Sequence, residues 1–503
     1  MGVVPDVVAS TRRVAVGERL RRARRTIPPP LAALLGAVLL LGVTWALVVP
    51  PFQAPDEQSH FGYVQALAEG PGLPGDPGRP GFSTELLQAR DAANSDQTAA
   101  LPDVKPTWSA AEWDRWQAQD ERLPTADRSD GGGNGNPAWS NPPLYYLYAV
   151  VPYALASGGD LFARVTLTRL ASVLWLLATV LGAWLLAGEV LGRDRLLQLL
   201  AAGVAGLLPM VTFISAQIGP DGALYALWTL ALWLGARVVK RGAEPATASA
   251  LLGVVGLAIV VKAASYALVP AALLALAVGL WRVRDDRGRA LRAGLGAAAA
   301  IAVPVLAWIA YARLTGRAAA AQISDAAGPG GGGSARELIS YLWQYYLPRL
   351  PFMDDRFPGG VPAYQILFKQ GWGAFGWLEV RFPEWLYKLL LVLTAGVAAA
   401  AVARLVALRR RVDLAVGAFL LLVVAGLLAG IHWTDYHYLI DGRGNFIQGR
   451  YLFPLVGLAG LATAQAVSWL HGRGRAVAVG AIVGGLLALQ LVSLALVAVR
   501  FYA

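Results

Sequence analysis

Apolar runs of about 20 residues recur along this chain, separated by short polar stretches. A run of that length crosses a hydrocarbon core of ~30 Å as an α-helix. The pattern therefore predicts an all-α polytopic membrane protein. Eleven transmembrane helices are expected, at roughly residues 31–50, 165–192, 196–217, 221–239, 247–262, 265–282, 291–314, 384–406, 413–431, 450–470 and 476–498. No succession of alternating strands of about ten residues occurs, which argues against a β-barrel.

Charge sharpens this picture. Counted from a cytoplasmic N-terminus, the inside loops hold Arg193 and Arg195; Arg237, Lys240 and Arg241; Arg282, Arg284, Arg287, Arg289 and Arg292; Arg404 and Arg409 to Arg411; Arg473 and Arg475. Every expected inside loop is basic, as the positive-inside rule requires, and the C-terminus then lies outside. The net charge of +11 is thus topological and does not imply a nucleic-acid partner. The composition, 56% hydrophobic and 15% charged with a mean hydropathy of +0.51, agrees with a membrane chain. Cysteine is absent, which excludes disulfides, thiolate metal sites and a cysteine nucleophile. Residues 1–30 form a basic segment rich in arginine (Arg12, Arg13, Arg19, Arg21, Arg22, Arg24, Arg25). The apolar run after it is long, and no small-x-small site precedes Pro50, so an uncleaved first helix is expected.

A transmembrane module over residues 31–470 then carries two large outside loops, 51–163 and 315–383, and residues 471–503 supply a cytoplasmic turn and the final helix. The first loop has Gly/Pro-rich turns at 70–81 and 129–137 and a helical pattern from Ala110 to Trp116. It ends in Asn141-Pro142-Pro143-Leu144-Tyr145-Tyr146-Leu147-Tyr148, the start of an apolar, tyrosine-rich segment too short to span and expected to lie in the interface. The second begins with a flexible Gly328–Gly333 tract and becomes aromatic at Tyr341, Trp343, Tyr345, Tyr346, Phe352, Trp372, Phe375 and Trp377.

Candidate chemistry gathers on the outside face. Pro55-Asp56-Glu57-Gln58-Ser59-His60 follows directly on the first span, where charge is costly unless it has a task. Asp56 either caps the helix that follows or shares a face with His60 at i, i+4. In the second reading Asp56, Glu57 and His60 hold a divalent cation, magnesium or manganese, or deprotonate an acceptor hydroxyl. Arg450, at the mouth of the tenth span, either snorkels to the interface or clamps a phosphate through two hydrogen bonds. Lys262, at the outer end of the fifth span, is an interfacial lysine or a phosphate partner. Asp221 caps the fourth span or adds a carboxylate to the same face, and Arg169 is open in the same way. His432, Asp435 and His437 are solvated loop residues or reach the same site.

Together, Pro55-Asp56-Glu57-Gln58-Ser59-His60-Phe61 and Gln448-Gly449-Arg450-Tyr451-Leu452-Phe453-Pro454 resemble the bacterial membrane-protein family known as domain of unknown function 2142. Pro220-Asp221 and Lys262-Ala263-Ala264-Ser265-Tyr266 fit the same pattern. The large first loop and its Pro-Pro-Leu-Tyr-Tyr helix resemble the wider GT-C superfamily of membrane glycosyltransferases. The resemblance implies an inverting transfer of a sugar from a polyprenyl-phosphate donor to a cell-envelope glycan, glycolipid or protein, outside a bacterial cytoplasmic membrane. It implies Asp56 as general base, supported by Glu57 and His60. It also implies Lys262 and Arg450 on the donor phosphate, with Gln448, Tyr451, Asp221 and Arg169 lining the substrate site and aromatic loops stacking on sugar. Asn141 stands where many superfamily members carry a histidine or lysine, so that position brings no charge here.

Three other classes compete, one of them a purely structural or assembly role, in which binding without turnover would use the same groove. A polymerase or ligase acting on lipid-pyrophosphate glycans would use outside arginines but has less need of an acidic pair at the first helix. A transporter or flippase of a lipid-linked saccharide would place its ionisable groups near the midplane, commonly with repeated halves, and no convincing repeat is evident.

Overall fold

The computed structural model describes residues 27–70, 81–106, 109–131, 135–314, 334–409 and 413–503. The basic N-terminal arginines, the Gly328–Gly333 tract, Arg410 and Arg411 lie outside them. Eight described helices are long and apolar enough to cross a membrane, and a ninth crossing is made if one bent pair counts as a single span. The fold is an all-helical polytopic membrane bundle.

The helices, in order, are α1 (Pro29–Val48), α2 (Glu57–Glu69), α3 (Thr84–Ala92), α4 (Ser95–Ala100), α5 (Ala110–Asp120), α6 (Leu144–Leu155), α7 (Leu161–Val190), α8 (Arg195–Leu207), α9 (Pro209–Ser215), α10 (Asp221–Arg241), α11 (Pro245–Val261), α12 (Val269–Arg282), α13 (Arg287–Leu314), α14 (Ala335–Tyr346), α15 (Glu384–Ala407), α16 (Leu414–Ile440), α17 (Val456–Val467) and α18 (Gly472–Tyr502). A hairpin of β1 (Ala374–Phe375) and β2 (Val380–Arg381) is the sole two-stranded sheet among the described residues. Helix α10 sits at the centre, packed on α7, α11 and α12.

Three expected spans depart from regular single helices. The third is broken into α8 and α9, bent by 59°. Pro209 removes an N–H there and Leu208 takes an extended conformation. Backbone groups freed inside a membrane need internal partners. Gln490 of α18 supplies one by donating to the Leu207 carbonyl at 3.2 Å, and it also holds Thr212 Oγ1 at 2.6 Å. The fifth span is only 17 residues long, and the tenth is a 3-10 turn (Gly449–Leu455) followed by the 12 residues of α17. Helix α6 has 12 residues, about 18 Å at 1.5 Å per residue, too short to span.

The two ends of the bundle differ in charge. At one, loop arginines and lysines pair with the few acids: Arg241 and Arg237 with Glu189, Arg282 with Asp413, Arg289 with Glu244, and Arg475 with Asp194. At the other, the described residues of the first large loop, between 51 and 163, fold over the bundle. The end of α18 belongs to this face: Arg500 donates to the carbonyls of Val104, Thr98 and Leu101, and Tyr502 to that of Val48. The first loop is tied down by a buried ionic network in which Glu85 receives Arg164, Arg128 and Gln65. Its expected glycine turns lie largely outside the described residues, but their flanks meet in a bridge between Gly81 and Gly135.

The described part of the second large loop, residues 334–383, closes from the opposite side. Trp377 donates to the Phe52 carbonyl at 3.0 Å, and Gln370 Oε1 accepts the Gly449 N–H at 2.9 Å. Several of its aromatics are core rather than sugar-stacking surface, a correction to the expectation. Tyr341, Tyr345 and Phe375 are fully buried. Phe375 stacks on Trp45 at 5.0 Å, and Tyr341 and Tyr345 pack around His432. Phe352 and Trp343 remain exposed.

Candidate functional site

The end of α1 and the start of α2 are joined by a tight turn, Val49–Asp56. Its backbone twice enters the left-handed region without glycine, at Phe52 (φ 63°) and Asp56 (φ 65°). Such residues are uncommon, though aspartate tolerates the conformation better than most. Asp56 occupies the N-cap position of α2, but its side chain makes no capping hydrogen bond. It instead receives Arg450 Nη2 at 2.5 Å.

Arg450 comes from the 3-10 turn ahead of α17. It does not snorkel: its side chain is 7% exposed and points to acids on both sides. Besides Asp56, its Nε lies 3.8 Å from Asp221 Oδ2 and has no hydrogen-bond partner. Asp221, the first residue of α10, accepts Lys262 Nζ at 2.6 Å. Lys262 stands one residue beyond α11, where the helix breaks into an extended residue before a 3-10 turn. Tyr451 lies beside both cations, with its ring centre 5.4 Å from Lys262 Nζ and 5.7 Å from Arg450 Cζ. Four helix ends therefore deliver two carboxylates and two cations to one place.

Burial pushes the Asp56 carboxyl up, but Arg450, His60 and Lys262 together hold it below its ordinary value. Its side chain is still 48% exposed. His60 forms one wall. Its Nδ1 lies 2.8 Å from the Tyr146 hydroxyl, and Gly219 abuts the ring so closely that a Cβ there would sit 3.2 Å from Cδ2. Burial pushes the imidazole down to about 4, against the opposing pull of Asp56 and Asp221. His60 is neutral at neutral pH.

Glu57 and Arg169 face elsewhere. Arg169 of α7 grips Glu57 with Nε and Nη2, at 2.7 and 2.5 Å, and donates to the carbonyls of Ala46, Val49 and Pro50. All five of its N–H donors are engaged by groups of the chain itself. Glu57 also accepts the N–H groups of Phe52 and Ile218. The pair fastens the α1–α2 turn to α7 and to the Ile218–Pro220 turn before Asp221. It acts by placing Asp56 opposite Asp221.

The expected cation site does not fit. Asp56, Glu57 and His60 turn to three different partners, and no group of three acidic or imidazole side chains gathers among the described residues. Asn141 donates to the Ala138 carbonyl and accepts the Tyr63 hydroxyl on its own carbonyl. It connects to the site through Tyr63, which stacks on Tyr146 at 3.8 Å. Gln448 precedes the Arg450 turn, half-buried, with its Oε1 unpartnered. His432 is enclosed by Tyr341 and Tyr346, and Asp435 accepts the N–H groups of Phe446 and Ile447. Asp435 thereby anchors the strand of chain leading to Arg450.

Sequence reading missed Gln370, whose oxygen receives the Gly449 N–H. A Cβ on Gly449 would come within 2.7 Å of Gln370 Cβ. The glycine before Arg450 was a visible signal; its partner, some 80 residues away, was not.

The Asp56–Arg450–Asp221–Lys262 cluster thus lies at one end of an all-helical bundle. Residues 39–459 match the family described as Predicted membrane protein (DUF2142), and the chain belongs to that family. No curated protein matches it. Among solved structures it is similar to the archaeal oligosaccharyltransferase AglB from Archaeoglobus fulgidus in complex with an inhibitory peptide and a dolichol-phosphate. The identity is 12%, the TM-score 0.51, and the match covers 94% of this chain and 56% of that one. It is also similar to ArnT from Cupriavidus metallidurans bound to undecaprenyl phosphate, at 15% identity and a TM-score of 0.43, over 93% of this chain and 63% of that one. The chain spans less than two thirds of the length of either. The likeness to AglB is one of fold.

Proposed function

We propose that this protein is an inverting glycosyltransferase that takes a sugar from a polyprenyl-phosphate donor on the extracytoplasmic face of the membrane. The observation that carries this reading is the half-exposed Asp56 carboxylate, 2.5 Å from an arginine buried among acids. A base that must reach an acceptor has to stay open, and a group that binds a lipid phosphate at low dielectric has to be a fixed cation. Here both meet at one atom pair.

In this reading Arg450 and Lys262 take the donor phosphate and stabilise the charge that grows on it as the sugar leaves. Asp56 removes the acceptor hydroxyl proton, and that oxygen attacks the anomeric carbon on the face opposite the phosphate. Neutral His60 and Tyr451 shape the pocket wall. Glu57 and Arg169 hold the base in register. The cluster stands at helix ends, at the first residue of α10 and just past α11.

The reading is tested with full-length protein in lipid nanodiscs, a panel of radiolabelled polyprenyl-phosphate sugars and a crude envelope acceptor. Label reaching the acceptor with wild type but not with Asp56→Asn supports it. No transfer from any donor by folded protein removes it.

A further inference from the structure

The quartet at the site is closed on itself. Arg450 holds Asp56 at 2.5 Å and Lys262 holds Asp221 at 2.6 Å, two cations against two carboxylates. In an anion site of cations alone both would be free of carboxylates; here each cation already holds one. A carboxylate and a phosphodiester present the same edge, two oxygens sharing one negative charge, and they compete for the same N–H groups. One nitrogen of the pair of cations has no hydrogen-bond partner at all. Arg450 Nε is buried without a hydrogen-bond partner, 3.8 Å from Asp221. A ligand oxygen arriving between Arg450 and Asp221 can take this N–H without breaking an existing hydrogen bond.

Asp56 pays for the arrangement: a carboxylate engaged by an arginine is a weak proton acceptor. As the structure stands, the proposed base is quenched.

We propose that Asp56 and Asp221 stand in for donor-phosphate oxygens in the resting site, so that donor binding displaces both from their cations and frees Asp56 to act as base. This rests on the donor reading given above and adds to it an order of events and a role for Asp221. The phosphate first takes Arg450 and Lys262. The released Asp56 then accepts the acceptor hydroxyl proton. The acceptor oxygen bonds the anomeric carbon, and the carbon–oxygen bond to phosphate breaks with its electron pair leaving on the phosphate. Asp221, returning to Lys262, competes with the spent lipid phosphate and promotes its release. Deprotonation is thereby confined to a loaded site.

The test is binding, not turnover. Purified full-length protein in nanodiscs is titrated with undecaprenyl phosphate, for wild type, Asp221→Asn, Asp56→Asn and Arg450→Lys. Thermal unfolding checks that each variant is folded. Removing a competing carboxylate should tighten binding about tenfold in Asp221→Asn and in Asp56→Asn, a factor equivalent to ~1.4 kcal/mol. Arg450→Lys should weaken it. Wild-type binding that Asp221→Asn leaves unchanged or weakens overturns the inference while the donor reading stands, since Asp221 would then be holding the cations in place. If Asp221→Asn misfolds, Asp56→Asn decides alone by the same criterion. If no folded protein in the series binds the lipid phosphate, the donor reading falls and this inference with it.

Discussion

Asp56 and Glu57 are neighbours in the chain, each paired with an arginine from far away, and the two pairs have opposite characters. Glu57 uses both oxygens on four N–H groups, and Arg169 uses all five donors. That pair is full and buried. Asp56 is half open, and Arg450 keeps an unpartnered Nε. A saturated ion pair can only hold the chain; an unsaturated one can exchange partners with a ligand. The left-handed backbone at Asp56 sends two adjacent acids to these two fates. The contrast also says which acid a mutation should remove to stop chemistry and which to stop folding.

The largest effect tests the open pair. Asp56→Asn should lower transfer by about 10²–10⁴-fold, the usual range for loss of a general base, with thermal stability close to wild type. A variant that transfers at the wild-type rate ends the base assignment. The closed pair should respond in stability. Glu57→Gln or Arg169→Ala leaves an uncompensated buried charge, costing about 3–5 kcal/mol, and should show as loss of monodisperse protein on size exclusion. Full stability with lost activity would instead move Glu57 into the chemistry. Gly449→Ala pushes a methyl to within 2.7 Å of Gln370 and Gly371. It should cost about 1–3 kcal/mol by overpacking and raise KM for the donor through displacement of Arg450. Arg450→Lys keeps the charge but loses the fork, and about a tenfold rise in donor KM with a smaller change in kcat is expected.

A further effect is pH-dependent. His60 folds with its imidazole pushed from 6.5 down to about 4, so the unfolded chain binds the proton more readily between those values. Stability is therefore full above 6.5, falls as pH drops below it, and levels off near 4. Asp56, also held below its ordinary value, adds its own loss at lower pH still. Unfolding midpoints measured across this range should lose their upper slope in His60→Gln. A slope that persists assigns it to another group.

Much of this was legible in the chain. Apolar runs marked most of the spans because a bilayer imposes length and composition directly, and alternating arginines marked one face. Asp56, Asp221, Lys262 and Arg450 were each visible as charge at a helix end. What was not legible was partnership. Glu57 looked equivalent to Asp56, and nothing in the chain paired it with Arg169. Tyr341, Tyr345 and Phe375 looked like sugar-stacking surface and are buried. The break at Leu208–Pro209 was hidden because Gln490, which satisfies its carbonyl, lies 283 residues away.

By itself, the sequence determined a helical membrane protein with a charged cluster at one end of the bundle, since hydropathy and charge act locally and the solvent reads them in order. The tertiary structure alone decided which carboxylate is saturated and which stays open. Hydrogen-bond capacity is allotted in three dimensions, by whichever distant donors the packing of α7, α10, α11 and the Arg450 turn brings within reach.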